Sequence, residues 1–319
     1  MIPAALLLAA ALPCPELLPA ARQSFAAGRL PEARTLLTKA LECPLGDGAP
    51  RLTAMLKAEL ASLELDLMNT GEAERLYREA IDLVEKAEGP ESPALVEPLN
   101  GLGSLYFQLR RLDQADRYTR RALALIRGSS PAGRAQAARV LGNLAVTLQG
   151  RGKLDQASAH YTAALAMTED PESVEAAFLY SNRGLLHWTI GRDAKATADL
   201  ERAVAIWRQR LPANHPHIAL GLGNLGRVRA LGGEPRAAEP LLREAVTIAE
   251  SSLGGSNGAT GFLYAAWADA LMRLKRTSEA EAAAARARHI LIENPSAEWL
   301  SHRVDMRSLL ASPDRNRLK

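Results

Sequence analysis

The sequence predicts an all-α protein, a solenoid of about seven helical hairpins followed by a C-terminal capping helix. Three columns of small residues carry this reading. An alanine recurs at Ala33, Ala73, Ala115, Ala157, Ala196, Ala238 and Ala280, at steps of 40, 42, 42, 39, 42 and 42 residues. Seven residues after each anchor stands Ala40, Ala80, Ala122, Ala164, Ala203, Ala245 or Ala287. Twelve residues before each anchor stands Ala21, Ala61, Gly103, Ala145, Gly184, Gly226 or Ala268. A fixed period of roughly 20–50 residues is the mark of stacked supersecondary units.

A spacing of seven puts two alanines on one helix face, two turns apart. Small side chains there let the paired helix approach closely. Bulk fills the gaps four residues after the anchor, at Leu37, Tyr77, Thr119, Tyr161, Leu200, Leu242 and Ala284. Tyr118 is expected to stand in for Thr119. Eight residues after the anchor come Leu41, Ile81, Leu123, Leu165, Val204, Val246 and Arg288, so the last unit is the weakest. The composition agrees. Apolar residues make up 47% and aromatics only 4%, which suits close-packed helices rather than sheets.

From the start of the chain, residues 2–12 form an apolar run ending in small residues, without a basic flank. Residues 1–12 read as an export signal or as a plain apolar terminus. The array follows over 13–295. Turn signals inside the hairpins are Gly28-Arg29-Leu30-Pro31, Asn69-Thr70-Gly71, Gly152-Lys153-Leu154-Asp155, Gly191-Arg192-Asp193 and Gly232-Gly233-Glu234-Pro235. Glycine supplies the left-handed residue that ends a helix, and Asp or Pro opens the next. Pro44, Pro90, Pro93, Pro131, Pro171, Pro212, Pro216, Gly254-Gly255 and Pro295 separate the units. Residues 296–311, with Trp299, Leu300, Val304, Leu309 and Leu310 among polar neighbours, suit a cap on the stack. Residues 312–319 read as a flexible tail.

The pattern resembles the tetratricopeptide repeat family, and the 42-residue step resembles its kinesin-light-chain type. Echoes are Leu222-Gly223-Asn224-Leu225-Gly226 with Glu239-Pro240-Leu241-Leu242-Arg243-Glu244-Ala245, Asn214-His215-Pro216-His217-Ile218-Ala219, Leu141-Gly142-Asn143-Leu144-Ala145 and Leu154-Asp155-Gln156-Ala157. The resemblance covers about residues 15–292. It implies a right-handed superhelix whose first helices line a concave groove for a protein or extended peptide. Arg183 departs from the pattern, standing where Leu60, Leu102, Leu144 and Leu225 stand elsewhere.

Fourteen residues before their anchors stand Asn143, Asn182 and Asn224, in three consecutive units. The resemblance implies that such an Asn holds the backbone of a ligand, and an amide offers both donor and acceptor. Arg139 and Arg227 lie one turn from Asn143 and Asn224 on the same faces, which suits an acidic group. Trp188, Gln108 and Ser104 are further candidates for the groove. The alternative is that each Asn bonds a neighbouring hairpin and Trp188 packs between repeats.

Catalytic and cofactor chemistry is not expected. Gly221-x-Gly223-x-x-Gly226 matches a dinucleotide fingerprint by letters but falls inside a helix. His215-Pro216-His217 is the only close histidine pair, and it lies in an inter-repeat loop rather than in a metal cluster. Lys+Arg 39 against Asp+Glu 36 leaves a net charge of +3, too balanced to suggest nucleic acid. No later stretch is apolar enough to span a membrane.

Cys14 and Cys43 bracket the first hairpin, and antiparallel helices bring such ends together. A bond there would stabilise by about 3–4 kcal/mol in the entropy model. It would place the protein in an oxidising compartment, periplasmic or secreted. Two free thiols in a cytoplasmic protein are the alternative.

Overall fold

The computed structural model describes residues 13–26, 29–44, 49–126 and 130–293. The expected signal at 1–12, Gly28 of the first turn, the capping helix at 296–311 and the tail lie outside them. Among the described residues there are fourteen α-helices, one 3-10 turn and no strand. No helix among them is long and apolar enough to cross a membrane. The chain divides into two compact units at Arg151 and Gly152.

The first unit holds α1 (Cys14–Ala26), α2 (Leu30–Glu42), α3 (Ala49–Asp66), α4 (Thr70–Glu88), α5 (Val96–Gln108), α6 (Leu112–Leu125) and α7 (Pro131–Gly150). The second holds α8 (Leu154–Met167), α9 (Val174–Thr189), α10 (Asp193–Arg210), α11 (Pro216–Leu231), α12 (Pro235–Ser252), α13 (Gly258–Arg273) and α14 (Thr277–Glu293). Within each unit the helices pair as antiparallel hairpins. Each second helix then packs on the first helix of the next hairpin. First helices also touch each other directly: α3 with α5, α5 with α7, α9 with α11, and α11 with α13.

The alanine columns build these hairpins. All seven anchor alanines and the seven that follow them are buried. Gly103, Gly184 and Gly226, twelve positions earlier, face their anchors. A methyl on Gly184 would lie 3.1 Å from the Ala196 carbonyl oxygen and 2.9 Å from Leu200. One on Gly226 would lie 3.3 Å from the Ala238 oxygen and 2.6 Å from Leu242. Gly103 instead makes room for Thr119, which is fully buried and donates its hydroxyl to the Ala115 carbonyl at 2.8 Å. Tyr118 therefore does not replace Thr119. It stacks on Tyr106, with ring centroids 5.4 Å apart.

The hairpin turns share one design. A residue in the left-handed region follows the first helix, and the next amide bonds back five residues, as Arg192 N does to His187 O at 2.8 Å. Gly152, Gly191 and Gly233 take the left-handed position as expected. Gly71 does not. It lies inside α4, and Met68 at φ 65 makes that turn. Arg110 (φ 59) and Lys275 (φ 61) do the same in hairpins that carry no turn glycine.

Candidate functional site

In the first unit, Asn143 on α7 reaches the preceding hairpin. Its Nδ2 donates to Asn100 Oδ1 at 3.0 Å and to Ser104 Oγ at 3.1 Å, both on α5. The neighbour-bonding alternative thus describes this amide. Arg139, one turn earlier, is also engaged. It forms a two-pronged pair with Glu97 at 2.6 and 3.2 Å, and Gln136 donates to the same carboxylate at 3.0 Å. Both partners remain half-exposed, so the pair carries little stability. Arg139 is therefore not an open cation. Sequence reasoning missed Glu97, although the signal was present: Glu97 and Arg139 each lie eighteen residues before their anchors in consecutive units. These contacts lie side by side on the first-helix face of the unit, with Ser104 as the Asn143 partner.

In the second unit, Trp188 from α9 meets Asn224 and Arg227 from α11. Together with Leu185, Val228 and Leu231 they line a crevice of ≈ 10 Å³, about the size of one water. Asn224 is buried and Arg227 and Trp188 are half-buried. Burial pulls the Arg227 guanidinium down to about 10, opposed by Asp269 on α13, so it stays charged at neutral pH. Asn182 lies half-buried on α9, outside this crevice.

Arg183 resolves into a buried polar cluster. Its Nε and Nη2 each donate to Asp199 at 2.8 Å, a bidentate geometry. Its guanidinium also lies 5.5 Å from the Tyr180 ring centre. His187 Nδ1 approaches the same carboxylate to 3.2 Å, off the hydrogen-bonding direction. Burial holds His187 below its ordinary range, with Asp199 opposing. The substitution is two-sided. Asp199 stands where Leu36, Leu76 and Leu241 stand in other hairpins, so one apolar pair has become an ion pair.

The letters that imitate a dinucleotide fingerprint serve packing. A methyl on Gly221 would press on Trp207, on Gly223 on Leu263, and on Gly226 on Leu242. Among the described residues no group of three or more His, Cys, Asp or Glu side chains is placed to hold a metal. The Cys14 and Cys43 sulfurs are bonded across the mouth of the first hairpin, with Cα atoms 6.0 Å apart.

The tetratricopeptide repeat model matches residues 51–128, 99–170, 136–209 and 175–251, together well over half of the chain. The chain belongs to the tetratricopeptide repeat family. No curated protein matches it by sequence. Among solved structures, this tetratricopeptide protein resembles BtubC from P. vanneervenii at 22% identity and a TM-score of 0.55, over 75% of this chain and 92% of that one. It resembles a signal-transduction ATPase with a tetratricopeptide repeat sensor from Pyrococcus horikoshii at 17% identity and a TM-score of 0.65, over 89% of this chain and 43% of that one. A Rap protein complexed with Competence and Sporulation Factor is similar at 14% identity and a TM-score of 0.53, over 89% and 100%. At these identities the likeness is one of fold.

Proposed function

We propose that the protein is a non-enzymatic scaffold that holds another protein or an extended peptide against its first-helix faces. One observation carries the reading: Trp188, Asn224 and Arg227, from two successive first helices, line one crevice. An aromatic ring, an amide and a cation together suit a peptide segment with an acidic group. The structural likeness to a Rap protein complexed with a signalling factor supports a peptide as one form of ligand. Asn182, half-buried on α9, extends the same class of contact, whereas Asn143 is engaged by the preceding hairpin. The disulfide between Cys14 and Cys43 favours a periplasmic or secreted location over the cytoplasm.

The test is a quantitative pull-down from the source organism, comparing wild type with the Asn182→Ala, Asn224→Ala double variant at matched folding by circular dichroism. The proposal expects at least one wild-type partner to be depleted about tenfold, a loss of roughly 1.4 kcal/mol. Equal recovery of every partner removes the groove assignment. Mass spectrometry of the unreduced native protein tests the location, and two alkylatable thiols contradict export.

A further inference from the structure

The first helices are capped in a way that singles out α11. Where the N-cap side chain of a first helix accepts a hydrogen bond, three of four use a group that does not titrate near neutrality. Ser130 caps α7 by accepting from Gly133 N at 3.2 Å. Ser173 caps α9 by accepting from Ala176 N at 3.1 Å, and Asn257 caps α13 by accepting from Ala259 N at 2.8 Å. On α11 the cap is His215, whose Nδ1 accepts from His217 N at 3.2 Å.

That hydrogen bond requires a bare Nδ1, hence an imidazole protonated only on Nε2. A second proton on the ring fills the lone pair that caps the helix. It also sets a positive charge against the positive end of the α11 dipole. Both effects act together, so capping and protonation exclude each other. The surroundings reinforce this. The titratable group facing the ring is His217, at 4.6 Å between centroids on α11 itself. The elements packed on His217 present uncharged rings, Phe178 from α9 at 4.6 Å and Trp207 from α10 at 6.0 Å. Burial also depresses the basicity of His215.

We propose that His215 is an acid-sensitive cap, which holds the first turn of α11 when neutral and releases it when protonated. Stability is present above the ordinary histidine range and falls as pH drops below about 6.5, because the unfolded chain then binds the proton that the capped state refuses. The released segment opens the helix that carries Asn224 and Arg227, so partner capture in acid weakens through the same element. The cap itself does not depend on any partner.

The test is amide hydrogen exchange of residues 217–219 in the full chain, near pH 7.5 and near pH 5.5, corrected for intrinsic rates. Wild type should lose about fivefold protection at the His217 amide on acidification, the size of one N-cap contact. The His215→Ser variant supplies a side-chain oxygen that does not titrate near neutrality and should lose none; His215→Asn serves if the Ser variant folds poorly. Nitrogen chemical shifts of the imidazole report the tautomer directly. An unchanged wild-type profile, an equal acid loss in the variants, or a protonated Nδ1 at neutral pH each overturns the proposal.

Discussion

Asp199 illustrates how one residue ties down several others. It is buried and receives both prongs of Arg183. Removing it in Asp199→Ala leaves a guanidinium with 18% side-chain exposure without its carboxylate. The expected loss is about 2–3 kcal/mol, below that of a fully buried pair because some solvent reaches Arg183. The double variant Arg183→Leu, Asp199→Leu restores the apolar pair of other hairpins and should melt at or above the wild type. Thermal melts of the two variants check this, and a double variant as unstable as the single one contradicts it. His187 adds a pH dependence of its own. Its folded state resists protonation, so stability should fall as pH drops below about 6.5. The slope of melting temperature against pH should shrink in His187→Gln.

Turns and hairpins show what a sequence can reveal about an element. The left-handed residue is Gly at 152, 191 and 233, but Met68, Arg110 and Lys275 occupy the same position without a compositional signal. Glycine is favoured there by about 1 kcal/mol, not required, so composition marks only half of these turns. Lys275→Gly should accordingly raise stability by about 0.5–1 kcal/mol, measured by denaturant midpoint with an unchanged slope. The close approach of paired helices was more legible, because no side chain larger than Ala fits beside an anchor carbonyl. Gly184→Ala should destabilise by about 1–3 kcal/mol through contact with Leu200 and the Ala196 carbonyl. An unchanged midpoint would contradict the register itself. The candidate site was legible only in part. Faces followed from helical spacing, whereas partners needed three dimensions: Asn100 lies on the neighbouring hairpin, and Asp199 on the paired helix of the same one.

At the scale of the molecule, stability in a repeat array is nearly a sum of units and their nearest contacts. The disulfide should therefore act locally. Reduction releases a loop with a sequence separation of 29 and should destabilise α1 and α2 by about 3 kcal/mol. Hydrogen exchange should rise in those helices and stay unchanged in α9 to α14. The same modularity explains why other first-helix residues differ between hairpins while the small columns recur. Ala196 and Gly184 only join two helices, whereas the half-buried Trp188 and Arg227 line the crevice on which the proposed binding rests. The direct test of that claim is site-specific photo-crosslinking in the native cell. A photoreactive residue at Trp188, on the first-helix face, should capture a discrete partner; the same residue at the exposed Ala198 of α10 should not. Capture from Ala198 with none from Trp188 would contradict binding on the first-helix face.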